Sequence, residues 1–408
     1  MTPPDPNVPP VLAAEANRGY DSWRRFFAVA LSLCLALFLV DAVVSLLDDS
    51  LILFFGLHVF TLIRELLAVL AMLMGVAVYG LLGLTPMVPK RLFLPIPLYY
   101  LAVVLALFPI MIYCFGRVQL FAWAFSAVQV VLALGILWRA QGGLRFRWPL
   151  VAVDRLGTRR FGWWNLSGFV LVNLFGLLPA VSVYSYLCAA LAVNHFSEGF
   201  MHLHPDGFSV QVRKYVRNDG KLIELFPMAH VADAGFYRKV AQTFPTNSVI
   251  LMEGVSDNQN LLTNKLSYKR MAKTLGLSEQ KKEFVPVRGE MIRADVDVAQ
   301  FSKVTIDFLN LITLFHAQGV NAATVSQMLQ FVPPPDFEAG VFQDLLTKRN
   351  EHLVKEIRTQ LSQSDNIMVP WGVAHMPGIA REIERSGFRL DESQEYVVIR
   401  FHFISRPK

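Results

Sequence analysis

Three polar residues stand where short apolar runs stop. His230 follows Leu222–Phe226, Glu253 follows Ser248–Met252, and His375 follows Asn366–Pro370. In open α/β sheets, sites form at the carboxyl ends of the strands. Three such ends can bring two imidazoles and a carboxylate together. That set suits a divalent metal with open positions for water. It suits equally a metal-free hydrolysis in which the carboxylate activates water and a histidine handles the leaving group. Residue types alone leave both open.

The elements that must position these residues can be read from pattern. Gly207–His230 alternates apolar and polar residues about Asn218-Asp219-Gly220, which predicts a β-hairpin. A helix follows over Ala234–Gln242, then a buried strand over Ser248–Met252. Leu261–Leu275 and Val298–Gln318 read as helical, with a strand and an acidic turn within Val285–Asp297. Leucines and isoleucines at three- and four-residue spacings predict a helix over Phe342–Leu361. Asn366–Pro370 is a further strand, Met376–Ser386 a helix capped by Gly387, and Val397–Phe403 the last strand. The expectation for residues 194–408 is an α/β (α+β) domain with a central mixed sheet.

Two secondary clusters compete for attention. His195, Glu198, His202 and His204 have spacings that could take zinc, but they lack HExxH and read as a polar connector at the membrane surface. Asp295 and Asp297 lie two apart, on one face of a strand, and could join a metal site or pair with Arg288 or Arg293. GxSxG, GxxxxGK[ST] and GxGxxG are absent, so nucleophile-elbow, NTPase and dinucleotide chemistry have no support. Cys34, Cys114 and Cys188 all lie in apolar runs, with no CxxC, and read as small buried hydrophobes.

The first half of the chain is of another kind. Only 17% of the 408 residues are charged, against about 25% in soluble domains, and the long uncharged runs fall within residues 1–193. After a polar, Pro-rich tail (1–24), residues 25–193 predict a membrane domain of five spans: Phe26–Leu47, Leu66–Leu84 with Leu51–Ile63 as lead-in, Leu94–Phe115, Leu120–Trp138 and Trp164–Val193, the last kinked at Pro179. The first run lacks a short n-region and a cleavage site, unlike a signal peptide. Arg18, Arg24 and Arg25, then Lys90 and Arg91, then Arg139, Arg145, Arg147, Arg155, Arg159 and Arg160 mark alternate ends as positive. Asp48 and Asp49 follow span one, and Arg117 alone follows span three. By the positive-inside rule the N-terminus is cytoplasmic and residues 194–408 lie outside, periplasmic in a bacterial inner membrane. The expected partner is therefore the lipid bilayer. The second half has 25 Lys/Arg against 24 Asp/Glu, so the excess positive charge flanks the membrane and no nucleic-acid groove is implied. Asp41, His58, Arg64 and Glu65 are the few charges near or within spans, and the half reads mainly as an anchor.

Gly372-Val373-Ala374-His375, with Met376-Pro377-Gly378 and an amphipathic helix behind it, resembles the second GxxH motif of the TraB/TIKI-like superfamily (TraB/PrgY/GumN). Lys348-Arg349-Asn350 resembles that superfamily's Arg-Asn helix. Leu225–Val231 resembles its first GxxH motif, and Ile250–Gly254 its strand ending in Glu. The ordered set covers about residues 205–390. The resemblance implies a compact α/β domain of two related halves, with a hydrolase-like site built from His230, Glu253, Arg349 and His375. His230 and His375 would ligate a divalent metal (Mn, Co or Zn). Glu253 would be a further ligand or the base acting on bound water, and Arg349 would orient a carboxylate or stabilise an oxyanion. Alternatively Arg349 pairs with an acid of its own helix, such as Asp344 or Glu356. One departure stands out: the first motif reads Pro227-Met228-Ala229-His230, with Pro in place of Gly. The implied function is a membrane-tethered, metal-dependent peptidase acting on a peptide or protein outside the cytoplasm. The alternative is a non-catalytic protein that binds peptide or haem on the same fold.

Overall fold

Apolar length organises the first half of the chain. In the computed structural model, which describes residues 10–263, 268–319 and 321–401, five helices are long and apolar enough to cross a membrane: Ser22–Phe55, Thr61–Leu84, Lys90–Tyr113, Phe115–Gln141 and Trp163–Phe196. Their main helical segments are α1 (Pro10–Phe55), α2 (Thr61–Leu84), α3 (Pro95–Tyr113), α4 (Val118–Gln141) and α5. α5 runs from Trp163 to Val172, through a π turn at Asn173–Leu177, and on over Leu178–Phe196. The π turn precedes Pro179, whose missing N–H disturbs the helical ladder there. The chain divides into two units, Met1–Cys188 and Ala189–Lys408.

Three expectations change in the first unit. α1 begins at Pro10, within the stretch read as a tail, while residues 1–9 lie outside the described residues. Leu51–Phe55 complete α1 and are not a lead-in to the second span. Asp48 and Asp49 are not in a loop after the first span: they lie inside α1 and are wholly buried. His58 falls in an exposed link between α1 and α2. Leu31, Leu35, Phe38, Leu82, Phe93 and Leu137 centre the packing of this unit. At one end Arg24 Nη2 donates to the carbonyls of Val153 (2.8 Å) and Leu156 (3.3 Å), and the Gly157 N–H donates to Met87 O (2.9 Å). The N-terminal part of α1 and the α2–α3 and α4–α5 connections thus meet at that end.

The second unit is built on a seven-stranded mixed sheet. Its strands are β1 (Met201–His204), β2 (Gly207–Val216), β3 (Leu222–Met228), β4 (Val249–Met252), β5 (Glu290–Arg293), β6 (Asn366–Gly372) and β7 (Arg389–Arg400). β3, β6, β4 and β5 run parallel in that spatial order. β2 pairs antiparallel with β7 along its length, and with β1 and β3 over its two halves. The predicted hairpin forms β2 and β3, with Gly220 at φ +84° in its turn. Leu261–Thr263 are not helical; the helix there is confined to α7 (Lys269–Leu275). β7 starts eight residues before the expected last strand, whose final residues, 402 and 403, lie outside the described residues.

Both faces of the sheet are covered, which is why β4 and the Ile367–Trp371 stretch of β6 are apolar throughout. Leu225, Leu251, Val369 and Trp371 face α10 (Lys348–Gln360) and α11 (Met376–Arg385) through Leu353, Ile357 and Ile379. Phe226, Ile250 and Met368 face α6 (Ala234–Thr243) through Phe236, Tyr237 and Val240. α8 (Lys303–Gln318) and α9 (Ala322–Gln330) complete the unit, and α10 is preceded by a π turn at Gln343–Thr347. Trp371 is fully buried, and its indole N–H donates to Leu251 O (2.9 Å). Trp371→Ala is expected to cost about 3–5 kcal/mol, read as a lowered unfolding midpoint of the purified full chain, with Trp371→Phe losing clearly less.

Candidate functional site

The carboxyl ends of the four parallel strands fall on one side of the sheet, and there the charged residues gather. Glu253 follows β4, Asp295 follows β5, and His375 lies three residues past β6. Alternation decides the face that Glu253 takes. Glu253 keeps the parity of Val249 and Leu251, which face α10 and α11. α10 delivers Arg349 to the same corner. Its N-terminal π turn is held by Asp344, which accepts from Ser302 N (2.8 Å), Thr305 Oγ1 (2.7 Å) and Lys348 Nζ (2.6 Å).

Arg349 is the hub. Its Nε donates to Asp295 Oδ1 (3.0 Å) and its Nη2 to Asp295 Oδ2 (2.6 Å), a bidentate pair. Nη2 also donates to Glu253 Oε1 (2.8 Å). Nη1 donates to His375 Nε2 (3.1 Å) and, at the limit of bonding distance, to Leu345 O (3.4 Å). Every N–H of the guanidinium therefore has an acceptor. The Asp295 side chain is fully buried, that of Glu253 is 9% exposed and that of Arg349 12%. Burial alone would lower the Arg349 pKa, but the two carboxylates more than offset it and raise it. Arg349 thus pairs neither with Asp344, which takes Lys348, nor with Glu356, but with acids from two strand ends.

The acids are held from other directions too. Glu253 Oε2 accepts the Gly372 N–H (2.7 Å). Asp295 accepts the N–H groups of Gly254 and Val296, each at 2.9 Å. Gly254 sits at φ +150°, a conformation that favours glycine and turns the chain directly after Glu253. His375 Nδ1 donates to Asn350 Oδ1 (2.7 Å), which fixes the neutral tautomer with its lone pair on Nε2, facing Arg349. Burial, and then the Arg349 charge, bring the His375 pKa down to about 4, against the opposite pull of Glu253 and Asp295. The His375 ring stands edge-on to Trp371, centroids 5.2 Å apart at 89°. A Cβ on Gly378 would come within 2.5 Å of Asn350 Nδ2, so glycine there lets α11 approach Asn350.

His230 is not in this network. Two residues on from Met228, it keeps the parity of Phe226 and Met228, which belong to the α6 face. It is exposed, and its ring stacks on Tyr268 with centroids 4.8 Å apart and an interplanar angle of 17°. It is still near enough for its charge to weigh on His375. Pro227 belongs to β3, opposite Trp371 and beyond the last residue of β3 that pairs with β2. The expected convergence of His230, Glu253 and His375 thus joins only the last two, with His375 Nε2 3.6 Å from Glu253 Oε1.

A divalent ion does not fit this arrangement. The Arg349 guanidinium fills the space between the two carboxylates and occupies the His375 lone pair that a metal would need. Among the described residues no group of three His, Cys, Asp or Glu is arranged to hold a metal. The other cluster is also dispersed: His204 Nε2 lies 3.0 Å from both Glu395 Oε1 and Ser209 Oγ, while Glu198 pairs with Arg381. Asp297 caps the turn at Val298–Gln300, accepting from Ala299 N (2.9 Å), Ser256 Oγ (2.8 Å) and Asn258 N (3.1 Å), bonds that in that order lower its pKa. It is a structural residue. Asn350 and Asp295 are the residues that reading the sequence undervalued. Their signals were the Arg-Asn pair opening α10 and an acid directly after a strand.

No family model, curated protein or solved structure matches the chain. What defines its class is the observed combination of a helical region with five candidate membrane spans and an α/β region carrying a buried charged cluster at parallel strand ends.

Removing the hub leaves two carboxylates without their counter-charge. Arg349→Met is expected to destabilise by about 3–5 kcal/mol, and Arg349→Lys by less, because an ammonium keeps the counter-charge although it cannot reproduce the fork. Unfolding midpoints of the full chain check this. His375 adds a pH signature. With its pKa depressed from about 6.5 to about 4, the folded state favours neutral imidazole. That contribution is complete above pH 6.5 and is lost as pH falls toward 4. His375→Asn is expected to flatten this part of the stability–pH curve.

Proposed function

We propose that this protein is a membrane-tethered hydrolase of the TraB/TIKI type, acting on a peptide or ester by acid–base chemistry, with Glu253 as the water-activating base. One observation carries the reading. The Glu253 carboxylate sits at the parallel strand ends with one donor on each oxygen, Arg349 Nη2 and Gly372 N–H, and with part of its surface open. Each oxygen keeps a lone pair for a water molecule. His230, exposed near the same strand ends, is the accessible group for passing a proton to the leaving atom. Arg349, Asp295 and Asn350 hold Glu253 and His375 in place without touching substrate. A metal-dependent peptidase would need Arg349 to withdraw from the cluster.

The saturation of Arg349 supports a second reading. With no N–H free for a developing oxyanion, the same corner serves a membrane-anchored binding protein for peptide. Hydrolysis of peptide and ester libraries by the purified full chain separates the two. For the hydrolase, Glu253→Gln is expected to lower the rate by about 10²–10⁴-fold and His230→Ala by a similar or smaller factor, while chelators leave it unchanged. Activity abolished by chelators and restored by Mn, Co or Zn would return the metal-dependent reading. Libraries left intact but bound would favour the second.

For sidedness, we place residues 194–408 outside the cytoplasm. The arginine-rich ends of the first unit meet at one end, through Arg24 and the carbonyls of Val153 and Leu156, and an odd number of spans puts the C-terminal unit opposite. Protease added to bacterial spheroplasts expressing the chain is expected to degrade the C-terminal unit while the membrane remains sealed. Protection until the membrane is opened would reverse the assignment.

A further inference from the structure

The first unit buries more negative charge than an anchor needs. Asp41, Asp48 and Asp49 lie along one face of α1 and are 2%, 0% and 0% exposed. Asp48 and Asp49 stand seven and eight residues after Asp41, a spacing that keeps one helix face. The only basic side chain bonded to any of them among the described residues is Arg64 of α2, whose Nη1 lies 2.7 Å from Asp49 Oδ1 and 3.7 Å from Asp48 Oδ2. Two of the three carboxyl groups thus share one guanidinium, and Asp41 has no ion pair among the described residues.

The remaining bonds show where the imbalance falls. Asp48 accepts from Phe60 N (3.0 Å) and Thr61 Oγ1 (3.2 Å). Asp49 accepts from Gln119 Nε2 (3.0 Å) and Ser126 Oγ (2.5 Å) of α4. All four of those oxygens are partnered. Asp41 Oδ2 accepts from Gln129 Nε2 (2.7 Å) and from the Tyr100 hydroxyl of α3 (3.3 Å). Asp41 Oδ1 is buried with no hydrogen-bond partner among the described residues. Asp41 also lies six residues before Leu47, about 9 Å inside that end of the first apolar run at the helical rise. An unpaired carboxylate oxygen at such a place is costly, and a proton removes the charge.

We infer that Asp41 is a buried, reversible proton-binding site of the membrane helices, a role beyond anchoring. The ligand is a proton and not a metal cation, because the groups that reach Asp41 present N–H and O–H donors: Gln129 from α4, Tyr100 from α3 and Ser45 one turn on along α1. Tyr99 beside them donates to Gln129 Oε1 (3.1 Å) and so fixes that amide with its NH₂ toward Asp41. The other titratable groups acting on this corner are Arg64 from α2, Asp49 on the same helix as Asp41, and Cys34, about two turns before Asp41 on that helix.

The test uses the full chain in lipid nanodiscs, titrated in an infrared cell. A C=O band of a protonated carboxyl is expected to appear on acidification and vanish reversibly on return. It is expected to be absent in Asp41→Asn and retained in the Asp48→Asn/Asp49→Asn double variant. Should Asp41→Asn fail to yield monodisperse protein, the wild type labelled with ¹³C at the aspartate carboxyl keeps the question open to decision, because the band must then shift. Absence of any such band in the wild type would overturn the inference. So would its persistence in Asp41→Asn, or a band that ignores the aspartate label.

Discussion

The Arg349 guanidinium, with all of its N–H groups committed, is the constraint on which the α/β unit's working corner depends. It ties the end of β4 to the end of β5 through Glu253 and Asp295, and ties both to the segment after β6 through His375. Buried ions are expensive to strip of water, and a cluster of this kind survives only when each charge has both a counter-charge and directional bonds. Here the directional bonds come from the backbone N–H groups of Gly372, Gly254 and Val296, supplied by the same strand ends. The geometry of the sheet and the electrostatics of the site are therefore one problem. The strands must end in register for the amides to reach the carboxylates, and the carboxylates must be there for Arg349 to be tolerated.

This accounts for the division of labour among residues that look alike in sequence. Of two histidines after parallel strands, one is enclosed, neutral and bonded at both nitrogens; the other is exposed and stacked on Tyr268. The difference traces to strand parity. Glu253, one residue past Met252, takes the α10-facing parity of Leu251, and His375 follows Trp371 of that face through a 3-10 turn, whereas His230, two residues past Met228, keeps the α6 parity. Chemistry that needs a fixed, charge-balanced carboxylate can use Glu253. Chemistry that needs a group free to exchange protons with water must use His230. His375 has lost that freedom to burial and to the Arg349 charge.

Much of this was legible in the sequence. The hairpin about Gly220, the apolar runs that became β4 and β6, and the long helix carrying Arg349 followed from period and turn chemistry. The five apolar spans followed from length alone. What could not be read was pairing at a distance. Nothing local says that Asp295 belongs to Arg349 and not to Arg288 or Arg293, or that Asn350 meets His375 across a gap of 25 residues. The same limit applies to Asp48 and Asp49. Two adjacent acids after an apolar run look like a loop, and only α2, with Thr61 and Arg64, and α4, with Gln119 and Ser126 turned toward α1, make their burial possible.

The two units solve the problem of buried charge differently. In the α/β unit, one Arg meets two carboxylates, and backbone amides absorb the remaining negative charge. Amides are available because loops end there, and an N–H bond to a carboxylate favours its charged form. In the helical unit the backbone is already satisfied by helix bonding, so α1 has no spare N–H groups to offer Asp41. Side chains must serve instead, and Gln129 and Tyr100 reach only one of the two oxygens. A carboxyl group that lacks both amide donors and a cation of its own has the proton as its remaining means of neutralisation. The same residue type is therefore fully partnered at a strand end and left with an unpartnered oxygen within a helix bundle. The cause is the supply of backbone donors, which secondary structure decides before any side chain is placed.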